Sequence, residues 1–157
     1  MVYYLKVFFG VLLSISFLTV CLLGPALTMN WPDAVTLIFI YVFLQFSCVI
    51  FMIIYAPKSL KARMSNYVSK EGLDRIATPL LWLSLIIWMI SNPIDVFHLS
   101  LFPPPALELK YFGLFLFILA FVLMVLTMIQ NEFAAPTVLT SNEQKVIDSG
   151  LYSIIRH

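Results

Sequence analysis

Residues 111–131 read YFGLFLFILAFVLMVLTMIQN, a continuous apolar stretch without a charged side chain. An α-helix of this length spans the hydrocarbon core of a bilayer, which is about 30 Å thick. A barrel strand would alternate apolar with polar residues, and the backbone of an open strand would find no hydrogen-bond partners in hydrocarbon. The stretch therefore predicts a transmembrane helix.

Three further stretches without charged side chains occur, at 7–32, 34–57 and 76–94. The chain of 157 residues is 62% hydrophobic and 11% charged, whereas soluble domains are roughly half apolar and about a quarter charged. We predict an all-α polytopic membrane helix bundle, with four transmembrane helices in 1–131 and a short cytoplasmic C-terminal segment in 132–157.

The first apolar stretch follows a short start that contains Lys6, as in a secretory signal peptide. A signal core is shorter, about 7–15 residues, and ends at a small-x-small cleavage site. The sequence Gly24-Pro25-Ala26 is a poor match to such a site. We predict a retained helix that ends at Gly24-Pro25 and forms a hairpin with the second helix through a turn around Trp31.

Basic residues are concentrated after the second predicted helix, and that connection holds more than half of the nine in the chain. They are Lys58, Lys61, Arg63, Lys70 and Arg75. The positive-inside rule then places this connection and both termini in the cytoplasm. A binding patch for anionic lipid or for substrate is the alternative interpretation of these charges. The formal net charge of +1 argues against a nucleic-acid partner.

Isolated reactive side chains in the helical part give no sign of chemistry. Cys21 and Cys48 lie in apolar stretches without a CxxC or metal-ligand spacing, so we interpret them as packing residues. Pro93 predicts a kink or a helix end, which makes Asp95 an interfacial residue. His98 has no second histidine or carboxylate at ligand spacing, and no metal site is predicted.

No catalytic residue can be assigned from the sequence, because it offers no Ser-His-Asp arrangement, phosphate-binding glycine loop or paired-carboxylate motif. Composition becomes more polar after Gln130, and the chain ends at 148–157 with DSGLYSIIRH, in which Gly150 predicts a turn. Any chemistry is therefore expected in this tail.

Two passages of the tail resemble the isoprenylcysteine carboxyl methyltransferase and phospholipid methyltransferase group of integral-membrane enzymes. Residues 131–138, NEFAAPTV, resemble the family's Asn-x-Phe, small-residue, Thr-Val passage after a transmembrane helix. Residues 146–157, VIDSGLYSIIRH, resemble its Val-x-x-x-Gly-Pro-Tyr-x-x-x-Arg-His passage, with Leu151 in place of the usual Pro. In the family, Arg-His continues into Pro-x-Tyr, so we expect an N-terminal fragment whose cofactor region, 132–157, is incomplete.

The resemblance implies S-adenosylmethionine as cofactor, bound by Gly150, Tyr152, Arg156 and His157. It implies methyl transfer to a membrane-associated acceptor, either a prenylcysteine-like carboxylate or a lipid headgroup, and a fragment that is inactive by itself. Arginine can bind the methionine carboxylate of the cofactor through its planar fork, and an aromatic ring can pack against a sulfonium or adenine.

Two other functions stay open. One is an NADPH-dependent membrane reductase, because sterol-reductase relatives resemble this family in a similar Arg-His-Pro turn. The other is a non-enzymatic membrane scaffold or transporter fragment, in which Arg156 and His157 are only interfacial side chains. All of these functions share membrane lipids as partners.

Overall fold

The computed structural model describes residues 2–65, 74–131 and 150–154 of the chain. Regular structure in these ranges is entirely helical. The helices are α1 (Val2–Ala26), α2 (Pro32–Tyr55), α3 (Pro57–Ser65), α4 (Asp74–Ile94), α5 (Leu107–Gln130) and α6 (Leu151–Ile154), and α4 continues as a π-helix over Asp95–Leu99.

Four helices of the described ranges are long and apolar enough to cross a membrane: α1, α2, α4 with its π-helical continuation, and α5. This confirms the all-α fold with four transmembrane helices, and the chain is an integral membrane protein. Helix α1 packs against α2 and α4, and α2 packs against α5. The spanning helices are therefore arranged in the order α4, α1, α2, α5.

Prolines explain several helix boundaries. Helix α2 begins with Pro32, whose missing N–H matters little in a first turn, and the Val35 amide donates to the Trp31 carbonyl. Pro57 disfavours helical torsion angles at the residue before it, and Ala56 accordingly has φ −140° and ψ 50° between α2 and α3. The first part of the basic connection is thus helical; its centre, around Ser69, lies outside the described residues.

Two helix ends predicted at prolines lie within one residue of the observed ends, Ala26 for α1 and Ile94 for the α-helical part of α4. Helix α1 continues through Pro25 to Ala26, because the proline lies in the last turn, and Leu27 leaves the helix with φ 54°. Pro93 lies in the last turn of α4 and is fully buried, and the α-helical geometry ends at Ile94. The ring removes one backbone donor, and the helix continues in the wider π geometry until Ser100, which has φ 51°.

Contacts between neighbouring spanning helices are few but specific. The Gln45 side chain of α2 donates to the Ser14 hydroxyl of α1 at 3.4 Å. On its other side, α2 places the Tyr41 ring against Phe117 and Phe121 of α5, with ring centroids 6.5 and 6.0 Å apart. Between helices surrounded by lipid, side-chain packing and such hydrogen bonds replace the hydrophobic effect as the source of association.

The bundle has two ends, which we name after residues they hold. The Trp31 end comprises the end of α1, the start of α2, the π-helix and the start of α5, which contact one another there. The Tyr55 end comprises the start of α1, the end of α2, α3 and the end of α5. Its core is formed by five buried side chains, Val7, Cys48, Met52, Leu60 and Met128.

Candidate functional site

The C-terminal motif packs against the end of the last spanning helix. Helix α5 stops at Gln130, and Asn131 follows in an extended conformation with φ −119° and ψ 99°. The Asn131 side-chain amide donates to the Tyr152 hydroxyl at 3.1 Å, and the Tyr152 side chain is half-buried. The structure therefore joins one residue from each of the two passages that carry the family resemblance, although these residues are 21 positions apart.

Gly150 turns the chain into α6. Its φ of +61° lies in the left-handed region, which favours glycine because a Cβ there would crowd the following carbonyl. A Cβ built on Gly150 would also lie 2.6 Å from Nε2 of Gln130. The Gln130 side chain is flexible enough to move away, so the backbone conformation is the stronger requirement. This confirms the turn predicted at Gly150.

Helix α6 is a single turn that begins on the Gly150 carbonyl. That oxygen accepts from the Ser153 amide at 3.1 Å and from the Ser153 hydroxyl at 2.6 Å. The two bonds close the turn on itself, and Tyr152, which lies within it, connects the turn to the end of α5 through Asn131. Two of the four predicted cofactor-binding residues, Gly150 and Tyr152, therefore lie in the same turn. Arg156 and His157 lie outside the described residues.

An apolar groove lies next to this site, between the C-terminal halves of α2 and α5. It has a volume of about 230 Å³. Cys48 and Phe51 of α2 form one wall, and Phe121, Val125 and Ile129 of α5 form the other. Ile129 immediately precedes Gln130, so the groove ends at the level of the Gly150 turn.

Two buried hydroxyl groups at the Tyr55 end have no hydrogen-bond partner among the described residues. They belong to Tyr3, which packs against the core of this end, and to Ser59, whose side chain is fully buried beside Leu60. An unpartnered buried hydroxyl destabilises a fold by roughly 1–3 kcal/mol. The Tyr55 end therefore keeps polar groups that its own packing does not satisfy.

The polar residues at the Trp31 end have structural partners instead. His98 donates through Nε2 to the Pro25 carbonyl at 2.7 Å, since a carbonyl oxygen can only accept. An Asp95 carboxylate oxygen accepts from the Leu101 amide at 2.8 Å. Within the described ranges, no three His, Cys, Asp or Glu side chains converge as metal ligands. Neither Cys21 nor Cys48 forms a disulfide, and both are buried.

Sequence reasoning singled out Gly150, Tyr152 and the passage that begins at Asn131 as candidates, and it did not indicate Gln130 or the groove. Nothing in the sequence links Gln130 to Gly150, because the close approach depends on how the tail packs. The apolar residues of α2 and α5 indicated the groove only weakly, because from sequence alone such residues of a spanning helix are expected to face lipid. Comparison with models of protein families, with characterised proteins and with solved structures finds no significant match for this chain.

Proposed function

We propose that the chain belongs to an S-adenosylmethionine-dependent methyltransferase that acts on a lipophilic acceptor at the membrane. The hydrogen bond between Asn131 and Tyr152 is the observation that supports this most. It joins one residue from each of the two passages that resemble the same enzyme family, beside the end of a spanning helix where a membrane-bound acceptor could reach them.

The described part of the site fits the cofactor in two respects. Gly150 allows the left-handed turn that brings Tyr152 beside the end of α5. Tyr152 presents an aromatic ring whose hydroxyl is held by the Asn131 amide, so the ring is oriented before a ligand arrives. A ring of this kind attracts a cation placed over its face. When bound, the cofactor supplies the electrophilic methyl group.

The residues of the chain would contribute orientation and exclusion of water. Methyl transfer requires the acceptor, the methyl group and the leaving sulfur to lie in line, and alignment is the main contribution that a protein can make. The proposal assigns Gly150 and Tyr152 to holding the cofactor and adds Arg156 and His157 on the basis of the resemblance. The acceptor class is a prenylcysteine-like carboxylate or a lipid headgroup, and the Tyr55 end with both termini faces the cytoplasm.

Calorimetric titration of the full-length protein, as its natural gene encodes it, in detergent tests this function. We expect S-adenosylmethionine to bind and NADPH to give no heat. Tyr152→Ala should weaken binding of the cofactor by roughly 0.5–2 kcal/mol, the range of cation–π interactions. The matched control is Tyr111→Ala, at an exposed tyrosine of the opposite end of α5. Binding of NADPH alone would support the reductase instead, and binding of neither would support a scaffold.

A further inference from the structure

The groove between α2 and α5 opens sideways out of the bundle. Phe51, Val122 and Leu126 line it and are all substantially exposed. Both helices span the membrane, so the medium at this opening is lipid hydrocarbon. The groove of about 230 Å³ exceeds the roughly 150 Å³ cavity that holds one benzene molecule, so it has room for several methylenes of an acyl chain.

A basic helix begins just beyond the groove. Phe51 lies one turn before the end of α2, and α3 follows at Pro57 after the break at Ala56. The α3 residues Lys58 and Lys61 are exposed. Ser59 and Leu60, between them, are buried, which anchors α3 to the bundle. The lysines are therefore held at the depth where a lipid headgroup would lie if one of its chains occupied the groove.

The two ends of the bundle also differ in the charge of their side chains. Three carboxylates lie at the Trp31 end, on Asp33, Asp95 and Glu108. There Lys110 pairs with Asp33 at 2.6 Å. At the Tyr55 end, α4 begins with one acidic and one basic residue, Asp74 and Arg75, and α3 next to the groove presents the exposed Lys61. This distribution favours an anionic headgroup at the Tyr55 end and disfavours one at the Trp31 end.

We infer that the groove and α3 together bind one anionic phospholipid from the leaflet at the Tyr55 end. One acyl chain lies in the groove, and the phosphate lies beside the lysines of α3. A chain in the groove leaves surroundings as apolar as those it enters, so the headgroup charge decides which lipid is preferred. One basic side chain at a membrane surface contributes about 1 kcal/mol, which corresponds to about a fivefold preference. This inference does not depend on the proposed methyl transfer.

Native mass spectrometry of the protein from nanodiscs tests the inference. The nanodiscs contain equal amounts of phosphatidylglycerol and phosphatidylcholine with identical acyl chains, and the lipids that remain bound are counted. We expect one retained phosphatidylglycerol. Val122→Trp should abolish its retention by filling the groove. Leu123→Trp is the matched control, because Leu123 is exposed to a similar extent on the same helix but does not line the groove.

A second pair of variants tests the headgroup. Lys61→Gln should lower the preference for phosphatidylglycerol about fivefold. Lys6→Gln removes a charge from the same end of the bundle but from α1, which does not line the groove, and it should leave the preference unchanged. Equal retention of the two lipids by the unmodified chain would overturn the inference. Equal effects of Val122→Trp and Leu123→Trp, or of the two lysine variants, would overturn it as well.

Discussion

The two ends of the bundle are held by different kinds of contact. At the Trp31 end, residues from separate helices form defined polar and aromatic pairs: Lys110 with Asp33, His98 with the Pro25 carbonyl, and Trp31 with Phe97, whose rings are 5.2 Å apart. At the Tyr55 end, a small apolar core lies beside the hydrogen bond between Asn131 and Tyr152, and the buried hydroxyls of Tyr3 and Ser59 have no partner among the described residues. Neighbouring helices are therefore joined mainly by polar and aromatic pairs at the Trp31 end and mainly by apolar packing at the Tyr55 end.

The loss of core volume at the Tyr55 end should have the largest effect on stability. Met52 is 3% exposed in that core, and Met52→Ala should lower the free energy of unfolding by roughly 2–5 kcal/mol, since a cavity replaces its contacts. Ile54→Ala, two residues away and 62% exposed, should change it by only about 0.5 kcal/mol. Unfolding followed by circular dichroism in detergent measures both. Equal losses would show that this core does not stabilise the bundle.

A smaller effect is expected at Gly150, where alanine would have to adopt a left-handed conformation. Gly150→Ala should destabilise the turn by roughly 1–2 kcal/mol and speed amide hydrogen exchange at Ser153, which donates to the Gly150 carbonyl. Gly113→Ala is the control, because its added Cβ would meet no atom within 4 Å inside α5. It should stabilise the helix by about 0.5–1 kcal/mol. Unchanged exchange in Gly150→Ala would argue against the described turn.

The smallest effect concerns the ion pair at the Trp31 end. The side chains of Lys110 and Asp33 are 35% and 60% exposed, so water and salt screen their attraction. Lys110→Gln should reduce the free energy of unfolding by at most about 1 kcal/mol, and less at high salt. The same unfolding measurement at two ionic strengths checks this. A loss well above that value, insensitive to salt, would mean that the pair is essential to this end.

The number of spanning helices could be predicted because each apolar stretch is long enough by itself to cross a bilayer. Helix ends near proline were predicted to within one residue at Pro25 and Pro93. The π-helix that follows Ile94 could not be predicted, because sequence patterns do not reveal it. The helical start of the basic connection was also missed, since α3 is short and charged and is held by the burial of Leu60.

The candidate site could be located only in part. A turn at Gly150 follows from glycine in a partly apolar segment, and that expectation was confirmed. The contact between Asn131 and Tyr152 could not be derived, because no periodicity links residues 21 positions apart. The groove depends on the relative placement of α2 and α5, which few polar contacts determine. Sequence therefore indicated the motif, and packing showed which residues surround it.

Photolabelling in sealed vesicles tests the central claim, that the tail at the Tyr55 end binds S-adenosylmethionine on the cytoplasmic side. The cofactor is charged and does not cross the membrane, so vesicle orientation determines which side it reaches. The radiolabelled cofactor is crosslinked by ultraviolet light to the full-length protein, as its natural gene encodes it, and the labelled peptides are mapped. We expect the peptide that contains Tyr152 to be labelled in inside-out vesicles only. Labelling from the opposite side, labelling confined to peptides of the Trp31 end, or no labelling at all would contradict the account.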